Sequence, residues 1–346
     1  SEIDLDKAKC YIRGNFRKTL VRLRKKLDVV EVKMSDRKER WNEIDPKKVP
    51  ANAISKYGKL AFQNKNKDGS IRSNKEDRIE SAKNFKDAFE EAKETGKGIH
   101  GKNAGIFKII KYYIDGNQED DSVEAQFSEL LTQFRKELED GKFPRAIPLC
   151  DTSGSMCCND KKPITVSIGL GILLSLLLPE PWNRRVLTFS SQPQFHKIEG
   201  STLYDMFKNL SGAHWEMNTN FGKALNMILD TLIDYEKAND GKKFPEELLP
   251  EMLIVFSDMQ FDTADTNMSK YGNTHSYRSG ATSSSGLMHP LANIQRSFAE
   301  LGYKCPKIVF WNLGSNDALP CESFSPGAFT MSGYSENMFK AFLEGE

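Results

Sequence analysis

The spacing of apolar and polar positions divides the chain into a helical first part and a mixed second part. In the first part, apolar residues recur every three or four positions, which places them on one face of an α-helix. This spacing predicts helices at 7–27, 50–62, 77–95, 106–114 and 123–138, with 29–34 as a continuation of the first and 63–74 as a mobile polar loop. The residues expected to point inward from the third helix are Ile79, Phe85, Ala88, Phe89 and Ala92.

From Ala146 onward, short apolar runs alternate with helical patterns. Strands are predicted at 146–150, 186–189, 194–198, 252–256 and 307–312, and helices at 163–178, 201–210 with Ser201 as N-cap, 221–235, 288–301 and 336–343. This alternation is typical of a doubly wound α/β fold with a mostly parallel sheet. The predicted organisation is therefore an all-helical domain at 1–144 followed by an α/β domain at 145–346.

Charge is distributed unevenly between these two parts. Residues 1–145 contain 33 Lys and Arg against 26 Asp and Glu, whereas residues 146–346 contain 16 against 22, although the whole chain carries only +1. The content of 38% apolar and 28% charged residues is that of an ordinary soluble protein. The longest apolar run, 168–178, is about half as long as a membrane span requires, so no membrane partner is expected.

Much of the positive charge lies in the first predicted helix. Nine Lys and Arg surround an apolar stripe there, with no acidic residue between Asp6 and Asp28. Two interpretations stay open: a solvated face or one docked on the acidic second domain, and contact with RNA phosphates. The candidate nucleic-acid or partner contacts are Arg13, Arg17, Lys18, Arg24 and Lys25, and the stripe comprises Ile12, Phe16, Leu20, Leu23 and Leu27.

The six cysteines show no regular pairing pattern, and the amino terminus does not read as a signal peptide. Reduced thiols and a cytoplasmic location are expected. Cys157 and Cys158 invite a zinc or redox interpretation, but small buried residues are the favoured one, because no other Cys or His lies at ligand spacing.

The stretch that follows the first predicted strand carries the candidate chemistry. Asp151, Ser153 and Ser155 come directly after 146–150, so one carboxylate and two hydroxyls can face the same small volume. Mg²⁺ prefers such oxygen ligands and keeps some of its waters. The sequence therefore predicts a magnesium site, with Mn²⁺ or Ca²⁺ as alternative occupants.

This D-x-S-x-S pattern resembles the metal-ion-dependent adhesion site (MIDAS) of von Willebrand factor A (vWA) domains. The resemblance implies two further ligands, Thr219 in M-N-T-N-F and Asp258 in L-I-V-F-S-D-M, the latter acting through water. Asn220 stands where many relatives have aspartate. The resemblance also implies binding rather than catalysis, with an acidic residue of a partner protein completing the metal's coordination.

These motifs, together with I-V-F-W-N-L and the basic Y-I-R-G-N-F-R-K-T-L-V-R-L-R-K-K-L segment, resemble the DUF2828 family, whose members join a helical region to a vWA domain. The layout is also similar, more distantly, to the Ro/TROVE ribonucleoproteins. That second likeness implies an alternative function, RNA binding through the helical domain.

Enzyme signatures are absent from the sequence: there is no P-loop, no G-x-S-x-G and no H-E-x-x-H. A metal-dependent hydrolase is therefore the least favoured alternative, and a non-enzymatic binding or scaffolding module is expected. The long polar loop at 263–286 follows Asp258 and is expected to flank the ligand site. Its candidate contacts are Tyr271, Tyr277 and Arg278.

Overall fold

In the computed structural model, the described residues are 5–100, 104–140, 145–188, 194–213, 221–258, 288–314 and 328–334. They form two compact units, one from residues 1–104 and 120–130, the other from 105–119 and 131–346. The sequence places the boundary between residues 144 and 145, whereas the contacts group the helix at 106–114 with the α/β unit. No helix among these residues is long and apolar enough to cross a membrane.

The first unit is helical. Its elements are α1 (Leu5–Leu27), α2 (Val30–Ser35), α3 (Ala51–Tyr57) and α4 (Glu76–Thr95), with 3₁₀ turns at Trp41–Glu43 and Pro46–Lys48. Rather than continuing α1, α2 is a separate helix, since Asp28 between them has φ +49°. The predicted loop at 63–74 is closed by a bridge between Lys65 and Ile71.

The core of this unit forms where α4 meets α3 and the 3₁₀ turns. Phe62 and Phe85 stack with ring centroids 4.0 Å apart, and the indole N–H of Trp41 donates to the Met34 carbonyl at 3.0 Å. The predicted inward residues of α4 are buried except Ile79, which is 53% exposed. That prediction was wrong because Ile79 lies about 120° around the helix from Phe85.

The second unit contains a six-stranded sheet in the order β3-β2-β1-β4-β5-β6. Only β3 runs antiparallel to its neighbour, so the sheet is mostly parallel, as predicted. The strands are β1 (Ala146–Cys150), β2 (Arg185–Thr188), β3 (Phe195–Lys197), β4 (Met252–Ser257), β5 (Lys307–Asn312) and β6 (Ala328–Ser332). The sequence analysis did not predict β6.

The second unit also contains helices. They are α5 (Ile106–Ile114), α6 (Asp121–Glu139, shared with the first unit), α7 (Cys158–Ser175), α8 (Leu203–Ser211), α9 (Phe221–Ala238) and α10 (Met288–Glu300). The N-cap of α8 is Thr202, whose hydroxyl accepts from the Asp205 N–H, and not the predicted Ser201. The helix predicted at 336–343 lies outside the described residues.

The two faces of the sheet are packed differently. On one face, β-strand residues such as Leu149 and Val255 share a core with Ile228 of α9 and Phe298 of α10. On the other face, α7 approaches β1 so closely that a Cβ on Gly171 would lie 2.4 Å from Cys150 Sγ. This close approach holds α7 against β1. A hydroxyl of α7, that of Ser167, also contacts the backbone of Asp151 in the candidate site.

A second glycine of α7 explains why α5 belongs to this unit. A Cβ on Gly169 would lie 2.9 Å from Ile106 Cγ1 and 3.0 Å from Ile110 Cγ1, so the side chains of α5 occupy the space above that glycine. Asn159–Lys161 all have positive φ, and the regular part of α7 therefore begins close to Pro163, as predicted.

Candidate metal centre

The candidate ligands lie at the point in the sheet where the direction of strand addition reverses. The chain passes from β1 to β2 on one side and returns to β4 on the other, and ligands of doubly wound sheets bind in the crevice at the carboxyl ends of such strands. Because β1 and β4 are parallel neighbours with Cys150 opposite Phe256, Asp151 and Asp258 follow these strands at the same edge.

Backbone contacts hold Asp151 in place. Its N–H donates to the Phe256 carbonyl at 2.9 Å, which extends the ladder between β1 and β4 by one residue. Its carbonyl accepts from the Ser167 hydroxyl of α7 at 3.0 Å. Asp151 is therefore fixed from both the sheet and the helix, and it is only 3% exposed.

The two serines lie close together beside this aspartate. The Ser153 N–H donates to Asp151 Oδ1 at 2.9 Å, a local turn that brings the chain back over the carboxylate. The Ser153 and Ser155 Oγ atoms are 2.9 Å apart, and Ser155 lies in a 3₁₀ turn at Gly154–Cys157. The structure thus brings together the three predicted ligands of the D-x-S-x-S segment.

Asp258 contributes the second carboxylate of this edge. It follows β4 directly and is 3% exposed. Gly314 comes close to it: a Cβ at that position would lie 2.9 Å from the Asp258 carbonyl oxygen and 3.0 Å from its Cβ. A glycine is therefore needed where the segment after β5 passes Asp258.

Sequence reasoning missed one residue of the site, Ser257. Its hydroxyl donates to Asp151 Oδ2 at 2.7 Å, and the residue is 1% exposed. Ser257 therefore orients the carboxylate that follows the neighbouring strand. Its position next to Asp258 at the end of a strand is the signal that could have identified it.

The electrostatics of the site are dominated by burial. Burial raises the pKa of the Asp151 carboxyl above its usual range, and the negative charge of Asp258 raises it further. Hydrogen bonds from the Ser153 N–H, the Ser257 hydroxyl and the Ser153 hydroxyl act in the opposite direction. Two buried carboxylates near each other are stabilised in their ionised form by a cation between them.

The donor set fits a hard cation. Every side-chain donor described here is an oxygen, and the hydroxyl oxygen of Thr152 is also buried without a hydrogen-bond partner within the described part of the chain. Clusters of three or more His, Cys, Asp or Glu are not found among the described residues. Two carboxylates with hydroxyls are compatible with Mg²⁺, which retains several waters.

Of the remaining predicted site residues, four are not described by the structure and five lie on α1. Thr219, Tyr271, Tyr277 and Arg278 fall outside the described residues. The cations Arg13, Arg17, Lys18, Arg24 and Lys25 are exposed on α1 of the first unit. Cys157 and Cys158, expected to be small buried residues, are both exposed, because the chain leaves the sheet edge there before the regular part of α7 begins.

We expect Ser257→Ala to weaken Mg²⁺ binding about tenfold, because groups that orient a ligand typically affect metal affinity by this amount. Without this hydroxyl, Asp151 is harder to ionise, so the loss should grow as the pH falls. Titration calorimetry over a series of pH values measures the effect. Ser211→Ala, which removes an exposed hydroxyl, is the matched control, and equal affinities for both variants would contradict the assigned role.

Fold and site together define a doubly wound α/β protein with carboxylate and hydroxyl groups gathered at the carboxyl edge of its sheet. A family described as domain of unknown function (DUF7788) matches residues 145–346, and the chain belongs to this family. The description of this family names neither DUF2828 nor vWA. Membership of those two families stays an expectation based on the sequence motifs.

Two known proteins are similar over most of the chain. "Uncharacterized protein L728" of Acanthamoeba polyphaga mimivirus is 29% identical over 335 residues, which cover 96% of this chain and 52% of that protein. The chain thus spans about half the length of this relative. The crystal structure of the Deinococcus radiodurans Ro (RSR) protein matches 86% of this chain and 60% of its own, with a TM-score of 0.38 and 12% identity.

Proposed function

We propose that the α/β unit is a vWA-like binding module that holds Mg²⁺ at the carboxyl edge of its sheet and recognises an acidic residue of a partner protein. The observation that carries the proposal is the pair of buried carboxylates, Asp151 and Asp258, on adjacent parallel strands beside the hydroxyls of Ser153 and Ser155. Buried charges of one sign call for a counterion, and the oxygen donors select a hard one.

The proposed roles rest on the contacts of the described residues and, for Thr219 and the water-mediated Asp258, on the resemblance to vWA domains. Asp151, Ser153 and Ser155 would hold the metal, with Thr219 as a further ligand and Asp258 acting through water. Ser257 and the Ser153 N–H keep the Asp151 carboxylate in a fixed orientation. When bound, Mg²⁺ would offer an exchangeable position to a carboxylate oxygen of the partner.

Binding rather than catalysis is the proposed outcome. A hydrolase would need a general base near the metal. The two buried carboxylates are assigned here to the metal. The described His196 lies on the edge strand β3, two strands from β1, and its ring contacts Asn209 of α8. Hydrolysis of a panel of phosphate and ester substrates is measured for the parent protein and for Asp151→Asn. A higher rate in the parent would contradict this assignment.

A second candidate function is RNA binding through α1. The observation that favours it is the set of nine Lys and Arg on a helix with no buried residue. Such a helix attracts phosphates with a strong dependence on salt.

A pulldown with the full chain from native lysate, in Mg²⁺ or in EDTA, tests both candidates from the same eluates. The first proposal predicts a set of proteins that chelation removes and that rebinds when Mg²⁺ is restored. RNA retained in EDTA but released at 0.5 M salt would favour the second candidate. Protein binding unchanged by chelation would contradict the proposed metal-dependent recognition.

A further inference from the structure

Helix α1 presents an apolar stripe that its own unit leaves in water. No residue of the helix is buried. The exposed fractions are 66% for Ile12, 63% for Phe16, 50% for Leu23 and 72% for Leu27. Exposed apolar patches of this kind mark interaction surfaces.

The stripe has the dimensions of a helix–helix seam. Leu5, Ile12, Phe16, Leu20, Leu23 and Leu27 fall within an arc of about 80° when successive residues are spaced by about 100°. Lys9 lies in the same arc between Leu5 and Ile12, so the unbroken seam runs from Ile12 to Leu27 and extends about 22 Å at about 1.5 Å per residue. The spacing of four, four, three and four between the last five is the narrow pattern of a two-helix contact, and not the wide apolar face of a helix that packs on a broad core.

Cations border this seam on both sides. Arg13 and Arg24 lie along one edge and Lys26 along the other, and all three are exposed. In a two-helix contact the residues that flank the seam face the corresponding residues of the partner. The occupant must therefore carry acidic groups at these places.

This charge pattern decides between possible occupants. A second copy of α1 would oppose cation to cation along much of the seam, which disfavours self-association. RNA would satisfy the cations and leave the stripe in water. A lipid surface can also bind a basic amphipathic helix, so vesicle binding is measured as a competing outcome of the test. An amphipathic helix with acidic flanks matches both the narrow stripe and its cationic borders.

We propose that α1 is a docking helix for an amphipathic helix of a partner protein, whose apolar seam is flanked by Asp and Glu. The proposal is independent of the metal centre, because it rests on the exposure and charge of α1 alone. It also predicts binding that survives EDTA, so its failure and the failure of the metal-dependent function can be told apart.

The test uses the full chain and a synthetic probe, a 28-residue peptide of four heptads with Ile and Leu in the seam and Glu at the flanking positions. We expect the peptide to bind with a micromolar Kd in fluorescence anisotropy. The same peptide with Lys at the flanking positions should not bind. Phe16→Ser combined with Leu23→Ser should weaken binding of the acidic peptide at least tenfold, as loss of central apolar contacts does at other interfaces.

The matched control is Tyr11→Ser combined with Val21→Ser. These two residues are also exposed, at 72% and 51%, but lie about 100° or more outside the stripe, so the Kd should change less than twofold. Circular dichroism of both variants checks that α1 remains helical.

Several outcomes would overturn the proposal. They are failure of the acidic peptide to bind, equal binding of the Lys peptide, and an equal effect of the stripe and control variants. Binding to phosphatidylserine-containing vesicles or to a 20-nucleotide RNA that the stripe substitution abolishes would assign the stripe to lipid or RNA instead. A concentration-dependent dimer that the same substitution dissolves would assign it to a second copy.

Discussion

Asp151→Asn is expected to abolish Mg²⁺ binding while leaving the metal-free protein at least as stable as the parent. The first effect follows from the proposed ligand role. Even groups that merely orient metal ligands change affinity by about 10- to 100-fold, so loss of the carboxylate itself should raise the Kd by about 100-fold or more.

The second effect follows from the electrostatics of the buried carboxyl. Burial raises the pKa of Asp151 in the folded state, so the folded protein holds this proton more tightly than the unfolded chain does. The ionised carboxylate therefore reduces the free energy of unfolding at pH values above the folded-state pKa. Asparagine removes that charge and keeps an oxygen that can accept from the Ser153 N–H.

Thermal unfolding at pH 7 with and without Mg²⁺ measures both effects. In the parent, Mg²⁺ at about 100 times its Kd should add about 2.7 kcal/mol to the free energy of unfolding, and Asp151→Asn should show no increase. Asp234→Asn is the control, because Asp234 pairs only at the surface with Lys237 and is 75% exposed. A metal-free Asp151→Asn protein that is several kcal/mol less stable would indicate a structural role for this carboxylate.

Trp182→Ala is expected to lower the free energy of unfolding of the α/β unit by about 3–5 kcal/mol, the range for removing a large buried aromatic side chain. Trp182 is 1% exposed, and its indole N–H donates to the Leu248 carbonyl at 3.0 Å. Its ring lies 5.8 Å from that of Phe195 and 5.9 Å from that of Phe244. Alanine leaves a cavity among these rings and a partly buried carbonyl without its donor.

Urea denaturation compares this variant with Phe329→Ala, whose side chain on the edge strand β6 is 43% exposed. That control should lose about 1 kcal/mol or less, because much of its surface is already in water. Trp182→Phe keeps a ring in the cavity and should fall between the two, which preserves the comparison if the alanine variant does not fold. Similar losses for Trp182→Ala and Phe329→Ala would contradict the assigned core.

The elements that the sequence predicted best are those with an unbroken local pattern. The predicted bounds of β1, α5 and β5 agree with the structure. Each is a strongly apolar segment whose beginning and end are clear in the sequence. Because strands that alternate with helices form a parallel sheet, the sequence also predicted that Asp151 and Asp258 would meet at the carboxyl ends of the strands. The strand β6 was missed because its sequence, Ala328–Ser332, is short and partly exposed, and its assignment depends on pairing with β5.

Long-range contacts account for the other differences. Ser257 directly follows the predicted strand 252–256, and its contact with Asp151 forms only when β4 lies next to β1. For the apolar stripe of α1, the sequence predicted the local pattern but not its surroundings. Periodicity identified the apolar face correctly, but it could not show that the surrounding unit leaves Phe16 and Leu27 exposed.

Diffraction from crystals soaked in Mn²⁺, collected at the manganese absorption edge, tests the central claim most directly. Mn²⁺ prefers the same oxygen ligands as Mg²⁺ and locates itself by anomalous scattering. We predict an anomalous peak within about 2.5 Å of Ser153 Oγ and Ser155 Oγ, absent from crystals of Asp151→Asn. An empty edge beside Asp151, or a peak there that survives the substitution, would contradict the assignment of this cluster as a metal centre.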